Sequence, residues 1–133
     1  MTTELYWLTL TVLMTSVFWV PYILDRIAVR GLWPAISDRE PETDGEHSLW
    51  AKRMIKAHEN AVENLAVFAP AVLIAHAINV STLVTQWAAA IYFFARLVHF
   101  IVYSAGVPLV RTIAFAVGWC ATFAIIASVL HWV

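Results

Sequence analysis

The chain has 133 residues, a single cysteine and a formal net charge of −1. Apolar residues make up 62% and charged residues 13%, the latter about half the share of an ordinary soluble domain. This composition excludes a disordered chain, which needs low hydrophobicity and high charge, and one thiol excludes an internal disulfide framework. A chain this short cannot hide so much apolar surface in its own core. With no basic surplus there is no electrostatic footprint for nucleic acid. The class that remains is a small integral membrane protein.

A membrane-spanning helix needs about 20 mostly apolar residues. The first predicted span covers residues 5–24 and is closed by Asp25 and Arg26. It lacks a basic leading segment, so it reads as a retained helix and not a cleaved signal peptide. Residues 30–47, broken by Gly31, Pro34, Pro41 and Gly45, are expected to form one solvent-exposed loop, with Asp44 or Ser48 capping the next helix. The second span comprises the charge-free stretch 64–80 and the polar helical segment leading into it, with a kink expected at Pro70. The third covers residues 83–103, capped by Ser81 or Thr82, and contains Arg96 and His99. Gly106 marks the turn into the fourth, residues 108–133, where Pro108 suits the first helical turn and Arg111 follows. Strict alternation of apolar and polar residues is absent, which disfavours a β-barrel. The expected fold is therefore all-α: one four-helix transmembrane domain over residues 1–133.

Arg26, Arg30, Arg39, Lys52, Arg53 and Lys56 lie in or beside the first loop, and Arg111 flanks the third connection on the same side. The N-terminus, the second connection and the C-terminus carry no Lys or Arg. The positive-inside rule then places the loop 25–47 in the cytoplasm and both termini outside. Tyr6, Trp7, Trp87 and Trp132 fall at the expected outer interface, Trp33 and Trp50 at the inner one.

Charged groups inside a bilayer face the bundle interior or water and are functional candidates by default. Arg53, Lys56, Asn60 and Glu63 are spaced 3, 4, 3 on one face of the second helix. A purely structural reading makes them an interfacial helix start with intrahelical ion pairs. Tyr92, Arg96, His99 and Tyr103, spaced 4, 3, 4, form a second stripe on the third helix. Both stripes point toward the loop end, where Arg111 begins the fourth helix. Four cations there face the two carboxylates Glu59 and Glu63. A net positive, partly desolvated pocket suits a small anion, or a peptide-like ligand whose amine Glu63 receives.

The segments RMIKAHENAVENLAVFAPAVL at 53–73 and ARLVHFIVYSAGVPLVRTIAF at 95–115 resemble the MAPEG family, the membrane-associated proteins in eicosanoid and glutathione metabolism, and most closely its bacterial branch. The resemblance implies a homotrimer of four-helix subunits in a bacterial inner membrane, with glutathione held between adjacent subunits near the cytoplasmic side. It implies that Asn60 and Glu63 contact glutathione, that His99 and Tyr103 line the same site, and that Arg111, with the Thr112 hydroxyl beside it, activates the thiolate. Arg53, Lys56 and Arg96 are expected to join the binding site. Arg30, or failing that Arg26, matches a basic residue after the first span. Two positions depart from glutathione-using members, which are usually basic at both: Lys56 lacks the bidentate fork of arginine, and Glu59 reverses the charge. Phe115 stands where some members carry tyrosine.

Two functional readings follow. One is a glutathione-dependent transferase or peroxidase acting on lipophilic electrophiles that arrive from the bilayer. The other is a non-catalytic lipid-binding or scaffold protein on the same fold, which Lys56 and Glu59 favour. A metal site from His58, Glu59, Glu63, His76 and His99 lacks the ligand spacings such sites use. Cys120 reads as an inert buried thiol, His76 as a core or interface histidine, and His131 as an interfacial helix end. The acidic run Asp38, Glu40, Glu42, Asp44 and Glu46 reads as a solvated loop. Gly118 and the alanines at 114, 116, 121, 124 and 127 give the fourth helix a small-residue surface for close packing.

Overall fold

The computed structural model describes residues 1–37 and 48–133. These form α1 (Thr3–Val17), α2 (Trp19–Arg30), α3 (Leu32–Ser37), α4 (Leu49–Ala77), α5 (Leu83–Ala105) and α6 (Pro108–Val129), with no strand among the described residues. Four helical units are long and apolar enough to cross a membrane: Thr3–Arg30, Leu49–Ala77, Leu83–Ala105 and Pro108–Val129.

The first unit differs from its predicted form in two ways. It breaks at Phe18 between α1 and α2, because Pro21 has no N–H to give the Val17 carbonyl and its ring crowds that carbonyl. It also runs past Asp25 to Arg30. At 1.5 Å per residue, 28 residues span about 42 Å, more than the roughly 30 Å of the hydrocarbon core. The polar last turns therefore project beyond it. The expected single loop over 30–47 is also corrected in part: residues 32–37 are helical, with Trp33 and Ile36 exposed. The acidic run and Asp44 lie outside the described residues. Ser48 does occupy the N-cap position of α4, but its side chain makes no cap bond. Its N–H and hydroxyl donate instead to the buried Asp25 carboxylate at 3.0 and 2.6 Å, which ties the start of α4 to α2.

The other boundaries follow local chemistry. α4 continues through Pro70. Thr82 caps α5 in a reciprocal box with Thr85, Gly106 ends it in the left-handed conformation at φ +79°, and Pro108 opens α6. Three contacts set the directions of the helices. Glu4 meets Thr85 and Phe18 stacks on Phe100, so α1 and α5 run parallel. The Arg53 guanidinium lies against Gly106, so α4 runs against α5. Both chain termini thus sit at one end of the bundle, and Arg30 and Ser48 at the other.

The interior is built from alanines and two ring stacks. Phe68 stacks on Tyr92 at 3.6 Å between ring centres, and Phe18 on Phe100 at 3.7 Å. Ala57, Ala61, Ala71, Ala75, Ala88, Ala89 and Ala121 are buried around them. Small side chains let the helix backbones approach, which is the main source of packing energy where lipid is as apolar as the core. On α6, Ala114, Gly118, Ala121 and Ala127 are buried, and α5 is the helix it packs against most extensively. Leu13, Leu73, Ile101, Ile113 and Trp119 point outward. So does Cys120, which is exposed on the apolar perimeter and not buried as expected.

Candidate functional site

Near the loop end a chain of polar and aromatic contacts crosses from α4 through α5 to α6. It begins at Asn64, whose side-chain amide donates to the Asn60 backbone carbonyl at 2.8 Å and to Asn60 Oδ1 at 3.2 Å. Asn60 Oδ1 also accepts from Arg96 Nη1 at 3.0 Å. Arg96 is only 2% exposed, and its Nε and Nη2 make no hydrogen bond among the described residues. Aromatic faces hold the rest of the guanidinium, whose Cζ is 5.5 Å from the Phe115 ring centre and 6.0 Å from that of Tyr92.

His99, one turn along α5, is buried between Phe115 and Tyr103, with ring centres 6.3 and 5.6 Å away. Tyr103 in turn lies under Arg111, whose Cζ is 4.7 Å from the ring centre. Arg111 is half-buried, and no carboxylate among the described residues pairs with it. The third-helix stripe thus folds inward as one continuous face, because a 4, 3, 4 spacing keeps residues on one side of an α-helix.

The second-helix stripe divides. Asn60 turns inward, while Lys56 and Glu63 are exposed on the flank of α4. Arg53 is half-buried and covers Gly106, with its Cζ 2.7 Å from where a Cβ would stand. Lys56 pairs with Glu59 at 3.2 Å, both largely exposed, so the charge reversal at Glu59 is offset by its own helix neighbour. Glu63 lines a groove of about 360 Å³ with Tyr22, Ile55, His58, Glu59 and Val62. In that groove the Tyr22 hydroxyl and His58 Nδ1 are 2.8 Å apart. Arg30 lies half-buried in the last turn of α2, away from the α5–α6 contacts.

The structure therefore brings Asn60, Arg96, His99, Tyr103 and Arg111 together. Lys56, Glu63, Arg53 and Arg30 lie around them on other faces of the same end. Sequence reasoning placed Tyr92 in the third-helix stripe but assigned none of Asn64, Tyr92 and Gly118 to the binding site. Asn64 and Tyr92 were legible as members of the two polar helices. Gly118 was not: it reads as one more small packing residue, yet a Cβ on it would stand 3.3 Å from Arg96 Nε. A separate groove of about 350 Å³ between α5 and α6 is lined by Ile91, Phe94, Val98, Val110, Ile113 and Val117 and is almost wholly apolar. Among the described residues, no three His, Cys, Asp or Glu side chains gather as a metal site would require.

The model of the MAPEG family matches residues 5–131. No curated protein matches the chain. Near-complete coverage joins with the four apolar helices: the chain belongs to the MAPEG family, the integral membrane proteins of glutathione and eicosanoid metabolism.

Proposed function

We propose that this protein is a glutathione-dependent transferase or peroxidase acting on lipophilic electrophiles, with Arg111 stabilising the reacting thiolate. The observation that carries the reading is Arg111 itself: a half-buried guanidinium, fixed over Tyr103, whose charge no carboxylate among the described residues takes up. Bound glutathione supplies the nucleophilic sulfur. A free thiol has a pKa near 8.5, and lowering it by about two units takes about 2.7 kcal/mol of preference for the anion. One guanidinium in a water-poor site is of the right strength.

The surrounding residues fit a tripeptide with two carboxylates and an amine. Arg111, Lys56, Arg53 and Arg30 offer positive charge, Glu63 offers an exposed carboxylate for the amine, and Asn60 and His99 position the backbone. Arg96 is too deeply buried to reach a ligand directly in this arrangement and acts by fixing Asn60. Exposed at the depth of a membrane-crossing helix, Glu63 and Lys56 are costly against lipid, which supports a second subunit covering them in a homotrimer. We place the protein in a bacterial inner membrane, with the loop end in the cytoplasm and both termini outside.

A second reading is a non-catalytic lipid-binding member of the family. It is favoured by the apolar α5–α6 groove and by the Lys56–Glu59 pair, which takes one cation out of the site. Ultraviolet difference absorbance of detergent-purified protein on adding glutathione separates the two. The transferase reading expects a saturable thiolate band that falls by more than about tenfold in Arg111→Ala, with the oligomer intact by size exclusion. An undiminished band in that variant removes Arg111 from the role. No band and no calorimetric binding in wild type favours the lipid-binding reading.

A further inference from the structure

The end of the bundle remote from Arg111 holds a buried carboxylate that the function above does not use. Glu4, in the first turn of α1, is only 3% exposed. Its Oε1 accepts from the Ser81 hydroxyl at 2.8 Å and meets the Thr85 hydroxyl. Its Oε2 is buried and makes no hydrogen bond among the described residues. Beside it lies a half-enclosed cavity of about 130 Å³, lined by Thr2, Glu4, Ala75, His76, Asn79, Val80 and Ser81.

A half-satisfied buried carboxylate is costly unless a positive charge meets it. Among the described residues no side chain supplies one: His76, on the same cavity wall, forms no ion pair with Glu4. The chain has no Lys or Arg at positions 1–25, 57–95 or 112–133, ranges that include the whole of this end of the bundle. Among the described residues no salt bridge reaches Glu4, and Met1 is 91% exposed. The cavity walls instead carry the hydroxyls of Thr2 and Ser81 and the amide of Asn79. These are neutral oxygen donors, the kind hard cations take. Among the described residues Glu4 is the only carboxylate on those walls, so one positive charge neutralises the site, whereas a divalent ion leaves an excess in a region of low dielectric.

We propose that the cavity beside Glu4 binds a small monovalent cation through Glu4 Oε2 and the surrounding hydroxyl and amide oxygens. The cation bridges the start of α1 to the end of α4 and the α4–α5 turn. Two sources share this chemistry, an alkali ion and the ammonium of a small amine headgroup.

The test uses the full-length protein in a non-ionic detergent. Its thermal unfolding is followed as choline chloride is replaced at constant ionic strength by sodium chloride, or by ethanolammonium chloride. Choline is too bulky for the cavity. A ligand that binds only the folded state raises the unfolding temperature with its concentration. We expect a saturable rise of a few degrees in wild type, absent in Glu4→Gln. A rise with sodium identifies an alkali ion, and a rise with ethanolammonium alone identifies an amine. Equal midpoints in all three salts overturn the proposal, as does a rise that Glu4→Gln retains. Should Glu4→Gln fail to fold, ²³Na line broadening of the wild-type protein decides. Broadening above that of protein-free micelles, displaced by lithium or by ethanolammonium, supports the site, and its absence together with no ethanolammonium-dependent rise in the wild-type unfolding temperature overturns it.

Discussion

Arg96 Nε lies 3.3 Å from the point that a Cβ on Gly118 would occupy. The glycine is thus the recess in α6 that admits a buried guanidinium from α5. Alanine there gains up to about 1 kcal/mol of helix propensity but meets a neighbour that must move by a few tenths of an ångström. Gly118→Ala is expected to fold with nearly unchanged stability. Gly118→Leu places a branched side chain where the guanidinium stands, and overpacking of this kind costs about 1–3 kcal/mol. A fall in unfolding temperature confined to the leucine variant checks this. If both variants match wild type, Arg96 does not need the recess.

Among the described residues Arg96 makes one hydrogen bond, from Nη1 to Asn60 Oδ1. Asn60→Ala removes it and leaves a buried charge held by aromatic faces alone. A hydrogen bond to a charged group contributes about 1.5–3 kcal/mol, so a loss of that size is expected. Replacing the arginine as well removes the charge that needed the bond. The double variant Asn60→Ala/Arg96→Met is therefore expected to unfold at a higher temperature than Asn60→Ala. A double variant that loses the sum of both single effects would show that the two residues act independently.

The spans, the Thr82 cap, the turn at Gly106 and the inward face of α5 were legible from periodicity and capping residues. So was the gathering of Asn60, Arg96, His99, Tyr103 and Arg111 at one end, because spacing along a helix fixes which side chains share a face. What a single helix cannot express was hidden. Lys56 and Asn60 share a stripe in sequence, but the packing of α4 against α5 turns one in and leaves the other out. Asp25 reads as the end of a span, yet Ser48, 23 residues on, meets it inside the bundle. Cys120 has apolar sequence neighbours whether it faces the core or lipid, so hydropathy cannot separate the two. Pro21 did carry a local signal, the missing N–H, for the break at Phe18.

Gly106 combines a left-handed backbone with a close approach. Its φ of +79° costs a residue with a Cβ roughly 1–2 kcal/mol, and the Arg53 guanidinium occupies the space such a Cβ needs. Gly106→Ala is expected to destabilise the protein by about that amount and to displace Arg53. In the background Arg53→Ala the space is open and only the backbone cost remains, so the substitution should then be milder. Equal losses in both backgrounds would assign the whole effect to the backbone.

Tyr103 presents its ring face to Arg111, with Cζ 4.7 Å from the ring centre. Such a contact contributes about 0.5–2 kcal/mol, more as water is excluded. If the ring is what aims the guanidinium, then Tyr103→Phe keeps the aim and Tyr103→Leu loses it. The phenylalanine variant is expected to form the glutathione thiolate within about twofold of wild type. The leucine variant should fall by ~2- to 30-fold, which is that energy range expressed as an equilibrium. The measurement is the thiolate absorbance at saturating glutathione, with binding followed separately by calorimetry. A phenylalanine variant that loses the band as fully as leucine would place the work on the hydroxyl, as a direct donor to the sulfur, and take it from the ring. His99 packs against the same ring at 5.6 Å, so His99→Phe, which keeps an aromatic neighbour there, should leave Tyr103 in place and change glutathione affinity before it changes thiolate formation.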